Sequence, residues 1–243
     1  MGFATAALSV LAVLVVYIPL ARRRGRSRSH VVIGALSASY ANGGYLGLPI
    51  AVYVLGDATF ALPVMLLQLL VYAPLALSLL DLDVSGRQPS AIALALAGVR
   101  NPVSIAAMCG VLLSVLDVDL PDVVAEPISL LGGMAVPGAL LAYGVALRFG
   151  GAIGSANRGE IAALAVLKLV WMPAVAYLLA RFAFGLGSHE VFGLTVMAAL
   201  PTAQNVFVYA TRFERSALLA RDSIAVTTAL SVPVLFGLAA LLA

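Results

Sequence analysis

The sequence predicts an all-α integral membrane protein, built as an inverted repeat in which two helices are broken. Three observations predict it: an extreme apolar composition, a regular alternation of loop charge, and two interrupted apolar segments at matching places in the two halves. Apolar residues make up 63% of the 243-residue chain and charged residues 10%, with a mean hydropathy of +1.08. A water-soluble domain carries about a quarter of its residues as Asp, Glu, Lys and Arg. So few charges cannot cover a soluble domain of this length, whereas long apolar runs between short charged patches suit membrane helices.

Eight spans follow in order: Phe3–Leu20, Val31–Leu55, Thr59–Leu80, Pro102–Leu116, Ile128–Phe149, Ile161–Phe184, Val191–Tyr209 and Ile224–Leu242. Residues 1–80 carry three spans of a first repeat, with a broken helix at 42–49. Residues 81–101 form a cytoplasmic connection in which Ala91–Val99 reads as an interfacial helix. Residues 102–243 carry five spans of a second repeat, broken at 201–205. The first segment is not a cleavable signal, because its positive charge follows the apolar run. It is expected to stay, with the N-terminus outside.

Loop charge tests the count. Arg22, Arg23, Arg24, Arg26 and Arg28 directly follow the first span, and with that loop inside, all but two of the 14 basic residues fall on the cytoplasmic side. Asp57, Asp117, Asp119, Asp122, Glu126 and Glu190 fall opposite. This is the positive-inside pattern, and a wrong span count would break it. It also removes nucleic acid as a partner, since the basic residues sit at segment ends rather than on one face.

The interruptions carry the functional reading. In the second span, Asn42-Gly43-Gly44-Tyr45-Leu46-Gly47-Leu48-Pro49 would disrupt a helix, and the freed backbone groups must find partners inside the protein. A kink relieved by neighbouring helices is the plain reading; an unwound crossing lining a cavity is the functional one. In the seventh span, Pro201-Thr202-Ala203-Gln204-Asn205 groups too many hydrogen-bonding side chains to face lipid. The first three spans and the last three have the same pattern of plain, broken and plain helix in opposite orientations. Such paired breaks mark substrate sites in transporters, and their helix N-termini suit an anion.

Lys168, the only lysine, lies roughly 12 Å into its span at 1.5 Å per residue. It either snorkels to the cytoplasmic face or presents a positive charge to a carboxylate. Gln68 and Tyr72, four apart, share one helical face and point at the cavity or at a neighbouring helix. The candidate substrate-binding set is therefore Asn42, Gly43, Gly44, Pro49, Gln68, Tyr72, Lys168, Pro201, Thr202, Gln204 and Asn205. No catalytic residue and no metal or cofactor site is expected: His30 and His189 read as loop residues, Cys109 is a lone packing thiol, and no acidic residue falls clearly inside a span.

At the two breaks the sequence resembles the auxin efflux carrier family, which includes plant PIN-type carriers and bacterial malate and malonate permeases. Asn42 to Pro49 is similar to the bacterial form of the family's first crossover, and Ala199 to Ala210 to its second. Ala220-Arg221-Asp222 and the last helix also fit. The resemblance implies ten helices in two inverted five-helix repeats, a scaffold domain, a mobile transport domain and a dimer. On that map the chain corresponds to the third to tenth helices. Ala41 stands where plant carriers have a proline, which favours the bacterial branch.

The expected function is a secondary permease for a small organic anion, a carboxylate or an auxin-like acid, working by alternating access. A membrane receptor or structural subunit is the alternative, since it would keep the helices without needing two matched breaks. Arginine outnumbers lysine 13 to 1, a coding pattern of GC-rich bacteria, so a multi-pass protein of a bacterial inner membrane is expected.

Overall fold

The structure, a computed structural model, describes residues 1–86, 90, 102–149 and 156–242. Helix dominates, and no strand occurs among the described residues. In chain order the elements are α1 (Gly2–Arg23), α2 (Arg28–Ser39), α3 (Leu48–Tyr53), α4 (Ala58–Val84), α5 (Pro102–Val115) and α6 (Asp122–Phe149). They continue with α7 (Arg158–Ala183), α8 (Ser188–Ala198), α9 (Asn205–Arg212) and α10 (Ala217–Leu242). Among the described residues α1, α4, α7 and α10 are each long and apolar enough to cross a membrane. The interfacial helix expected at Ala91–Val99, and Asn101, lie outside the described residues.

The helix ends follow local chemistry. Ser27 caps α2 by accepting from the His30 N–H, and Asn157 caps α7 by accepting from the Glu160 N–H at 3.2 Å. Asp57 accepts from the Thr59 N–H at 2.8 Å where α4 begins, and hydrogen bonds from the Thr59 side chain and then its N–H hold the carboxyl below the usual range. α4 reads as a plain helix in the sequence but contains a π turn at Gln68–Tyr72, and α7 contains two, at Leu167–Trp171 and Leu179–Ala183. Pro74 and Pro173 stand just beyond two of these turns; each lacks the N–H that would continue the regular ladder.

α1 packs against α2, α4 and α7, while α8 packs on α7, and α10 on α2, α7, α8 and α9. Close approach depends on small residues, as expected where lipid is as apolar as the side chains. A Cβ on Gly34 would stand 1.7 Å from the Tyr17 hydroxyl, so only glycine lets α1 and α2 meet there. The buried apolar residues form two clusters. One joins α1, α2, α4 from Leu67 onward, α7, α9 and the start of α10; the other joins α3, the start of α4, Ala180 of α7 and α8. Outside them, Leu11, Val15, Leu70, Val71, Val170, Leu230 and Phe236 face outward. A surface so apolar requires an apolar solvent.

Three turns distant in sequence converge at one end of the molecule. Glu160, at the start of α7, accepts from Arg26 Nη2 at 2.5 Å, and its Oε1 lies 2.8 Å from His30 Nε2. Ser216, in the turn before α10, lies 3.0 Å from His30 Nδ1. His30 is thus a helix residue with two partners, not the loop residue the sequence reading expects. Glu160 (5% exposed) and Asp222 (0%) also depart from the expectation that no acid is buried in a span. Each has a cationic neighbour that makes its burial tolerable: Arg26 for Glu160, and Arg221, at 2.6 Å, for Asp222. Cys109, expected to pack, is exposed.

Candidate functional site

Both interrupted helices stop short and resume, and the two gaps meet. α2 ends at Ser39, and the chain turns again into helix at Gly43; α8 ends at Ala198 and α9 starts at Asn205. Between them Ala41 and Thr202 form an antiparallel bridge. The Asn42 N–H donates to the Pro201 carbonyl at 2.8 Å, and the Ala203 N–H to the Tyr40 carbonyl at 3.1 Å. Each break therefore supplies the backbone partners that the other lacks.

Side chains complete the crossing. Asn42 Nδ2 donates to Gln204 Oε1 at 3.0 Å, while Asn42 Oδ1 accepts from the Tyr45 N–H at 3.2 Å. Thr202 Oγ1 donates to the Ser37 carbonyl at 2.6 Å, and the Thr202 N–H donates to Thr227 Oγ1 at 3.2 Å. A Cβ on Gly47 would come within 2.8 Å of Leu200 Cδ1, so this glycine lets the second break pack against the first. Asn42, Thr202 and Gln204 are all buried.

A cavity of about 50 Å³ lies at this crossing, lined by Tyr40, Ala41, Asn42, Gly43, Gly44, Tyr45, Gln68, Ala203 and Asn205. Gln68 is 5% exposed, and its Nε2 has no hydrogen-bond partner among the described residues. An unmade bond in a buried amide costs about 1–3 kcal/mol. Gly44 adds no side chain to the cavity, and a Cβ there would meet nothing within 4 Å.

The remaining sequence-chosen residues stand farther off. Tyr72 lies one layer behind the cavity: its hydroxyl is 2.7 Å from Ser39 Oγ and its ring 5.7 Å from that of Tyr40. Pro201 contributes its carbonyl. Pro49 is exposed in the first turn of α3 and does not line the cavity. Lys168 is fully buried, with Nζ donating to the Ala198 carbonyl at 2.8 Å and 3.5 Å from Met172 Sδ. Ala198 is the last residue of α8, where the break leaves carbonyls without helical partners and the helix dipole is negative. The ammonium thus sits at the C-terminal end of the broken helix, outside the cavity lining.

The sequence reading missed Tyr40 and Tyr209, whose rings meet edge to face at 6.3 Å beside the cavity. Their signal was position alone: Tyr40 stands two residues before Asn42, and Tyr209 four after Asn205.

A sequence-family profile described as "Membrane transport protein" matches residues 88–238. The chain belongs to this family. It is the auxin efflux carrier family of the sequence resemblance. A protein of Rhizobium meliloti (strain 1021), bearing the name "Putative malonate transporter", is 30% identical over 223 residues, covering 88% of this chain and 68% of that protein. Membership and outward-facing apolar helices make the chain a multi-pass membrane protein of a transport family, and they point to a transporter rather than an enzyme.

Proposed function

We propose that the chain moves a small organic anion, of the carboxylate class to which malonate belongs, across a bacterial inner membrane by alternating access around the crossing. The observation that carries this reading is Gln68: a buried, unpartnered amide donor on the wall of a cavity where two broken helices meet. Native proteins rarely leave such a donor unmatched, and a carboxylate oxygen would satisfy it. Asn42, Asn205 and the backbone of Gly44 would share the contact, with Gly43 lining the cavity while its own N–H donates to the Ala41 carbonyl at 2.8 Å; Thr202, Gln204 and Pro201 hold the crossing in shape. Tyr72 backs the cavity wall, Pro49 restarts the helix, and Lys168 supplies positive charge at the adjoining helix end.

The wider architecture belongs to the same reading. α2 with α3, and α8 with α9, each serve as one broken span, so that with α1, α4, α5, α6, α7 and α10 the chain has eight. Residues 1–80 and 102–243 are then inverted repeats, and two copies of the chain pair as a homodimer.

Uptake of radiolabelled malonate into proteoliposomes, alongside a panel of mono- and dicarboxylates, tests the site. Gln68→Leu should leave thermal stability unchanged, because no protein bond is lost, while lowering uptake of the preferred anion at least about tenfold. Equal uptake by the variant and the parent would remove Gln68, and with it the main support for this site.

A further inference from the structure

A second cavity, of about 420 Å³, opens between α1, α2 and α4, away from the crossing. Its walls are apolar, with Leu14 and Ile18 from α1, Val32 from α2 and Leu75 from α4, and three arginines, Arg22, Arg26 and Arg28, line the same cavity. From Leu14 to Arg22 is eight residues of one helix, or about 12 Å. That is close to the roughly 15 Å of hydrocarbon in one leaflet. The arginines lie where the positive-inside pattern places the cytoplasmic surface.

The charges at the mouth are not fully matched. Glu160 holds Arg26 Nη2 at 2.5 Å, but Arg26 Nε is buried without a partner among the described residues. Asp83 lies 3.9 Å from Arg28. No carboxylate lies within ion-pair distance of Arg22 among the described residues. An anion of a few atoms has no use for a long apolar trench, and the apolar walls have none for the Arg22 guanidinium beside them. An amphiphile with an anionic head uses both.

We propose that this groove binds one anionic phospholipid of the cytoplasmic leaflet, an acyl chain lying along α1 and α4 and the phosphate against Arg22 and Arg26. The orientation rests on the membrane topology read from the loop charges; the groove and its charge do not. The far wall is Tyr72, whose hydroxyl meets Ser39 and whose ring meets Tyr40 of the crossing cavity, so a bound lipid would abut the aromatic layer behind the substrate site.

The test uses the full chain in detergent, offered phosphatidylglycerol and phosphatidylcholine with identical acyl chains and read by native mass spectrometry. One phosphatidylglycerol should be retained at least about fivefold over phosphatidylcholine, and Arg22→Gln should lower that preference about fivefold, the effect of one arginine at a lipid headgroup. A phosphatidylglycerol with a photoreactive acyl chain should label peptides of α1, α2 and α4 in the unaltered protein, which decides the matter even if the variant fails to insert. Equal retention of the two lipids, or labelling confined to α5 and α6, overturns the proposal. Displacement of the lipid by millimolar malonate also overturns it, since the groove would then belong to the path of the transported anion.

Discussion

Glu160 Oε1 lies 2.8 Å from Nε2 of His30, a residue 130 positions away in the chain, and Arg26 holds the other carboxylate oxygen. The contact joins the turn after α1 to the start of α7, and through Ser216 to the turn before α10. All three turns are ones that the charge pattern assigns to the same membrane side, so the contact is a geometric counterpart of that assignment.

Glu160→Gln should therefore loosen this end without touching the crossing. Arg26 would lose its ionic partner, and a charge-assisted bond of this kind is worth about 1.5–3 kcal/mol. A lowered thermal midpoint in detergent, with the ranking of transported anions unchanged, is the expected result. An unchanged midpoint would mean that water replaces the carboxylate at no cost.

The side-chain link across the breaks can be measured directly. A double-mutant cycle on Asn42→Ala and Gln204→Ala should return a coupling of about 0.5–1.5 kcal/mol in unfolding free energy, the range of one neutral buried hydrogen bond. Additive effects would show that the two amides are independent.

Lys168 invites a graded series. Lys168→Gln should insert normally yet lower anion uptake about 5- to 150-fold, equivalent to about 1–3 kcal/mol, with Lys168→Arg retaining more. Equal uptake by parent and Lys168→Gln at matched membrane abundance would restrict the lysine to capping the Ala198 carbonyl.

Topology is open to chemical labelling. On a Cys109→Ala background, a cysteine replacing the exposed Arg24 should react with an impermeant maleimide only when the cytoplasmic face is opened. Reaction in intact cells would invert every side assignment made above.

Much of the fold was legible in the sequence because its signals are local. Gly43, Gly44, Pro49 and Pro201 announce broken helices wherever they fall in apolar runs, and Asn42 and Gln204 stand out because polar amides are rare there. What those signals cannot convey is pairing at a distance. Nothing in the sequence marks Glu160 as a buried, paired acid, since its cation lies 134 residues earlier. Lys168 looked like a candidate ligand because its partner is a backbone carbonyl, which no residue type advertises. The π turns in α4 and α7 were hidden for a similar reason: a proline in an apolar run shows that the ladder changes there, not how the chain accommodates it.

The crossing also sets an order of events at birth. Asn42 and Gln204 are 162 residues apart, and at about 5–20 residues per second the ribosome makes the second on the order of 10 s after the first. Throughout that interval the Tyr40–Asn42 segment is in or near the bilayer with its backbone and amide groups still lacking the partners it will later have. The nascent first half thus needs a temporary home for those groups, in the insertion machinery or at the membrane–water boundary, until Pro201 to Asn205 arrives. Substitutions at Asn42 or Thr202 would then act first on how much protein reaches the membrane, and yield at synthesis has to be separated from transport rate in any variant of the crossing.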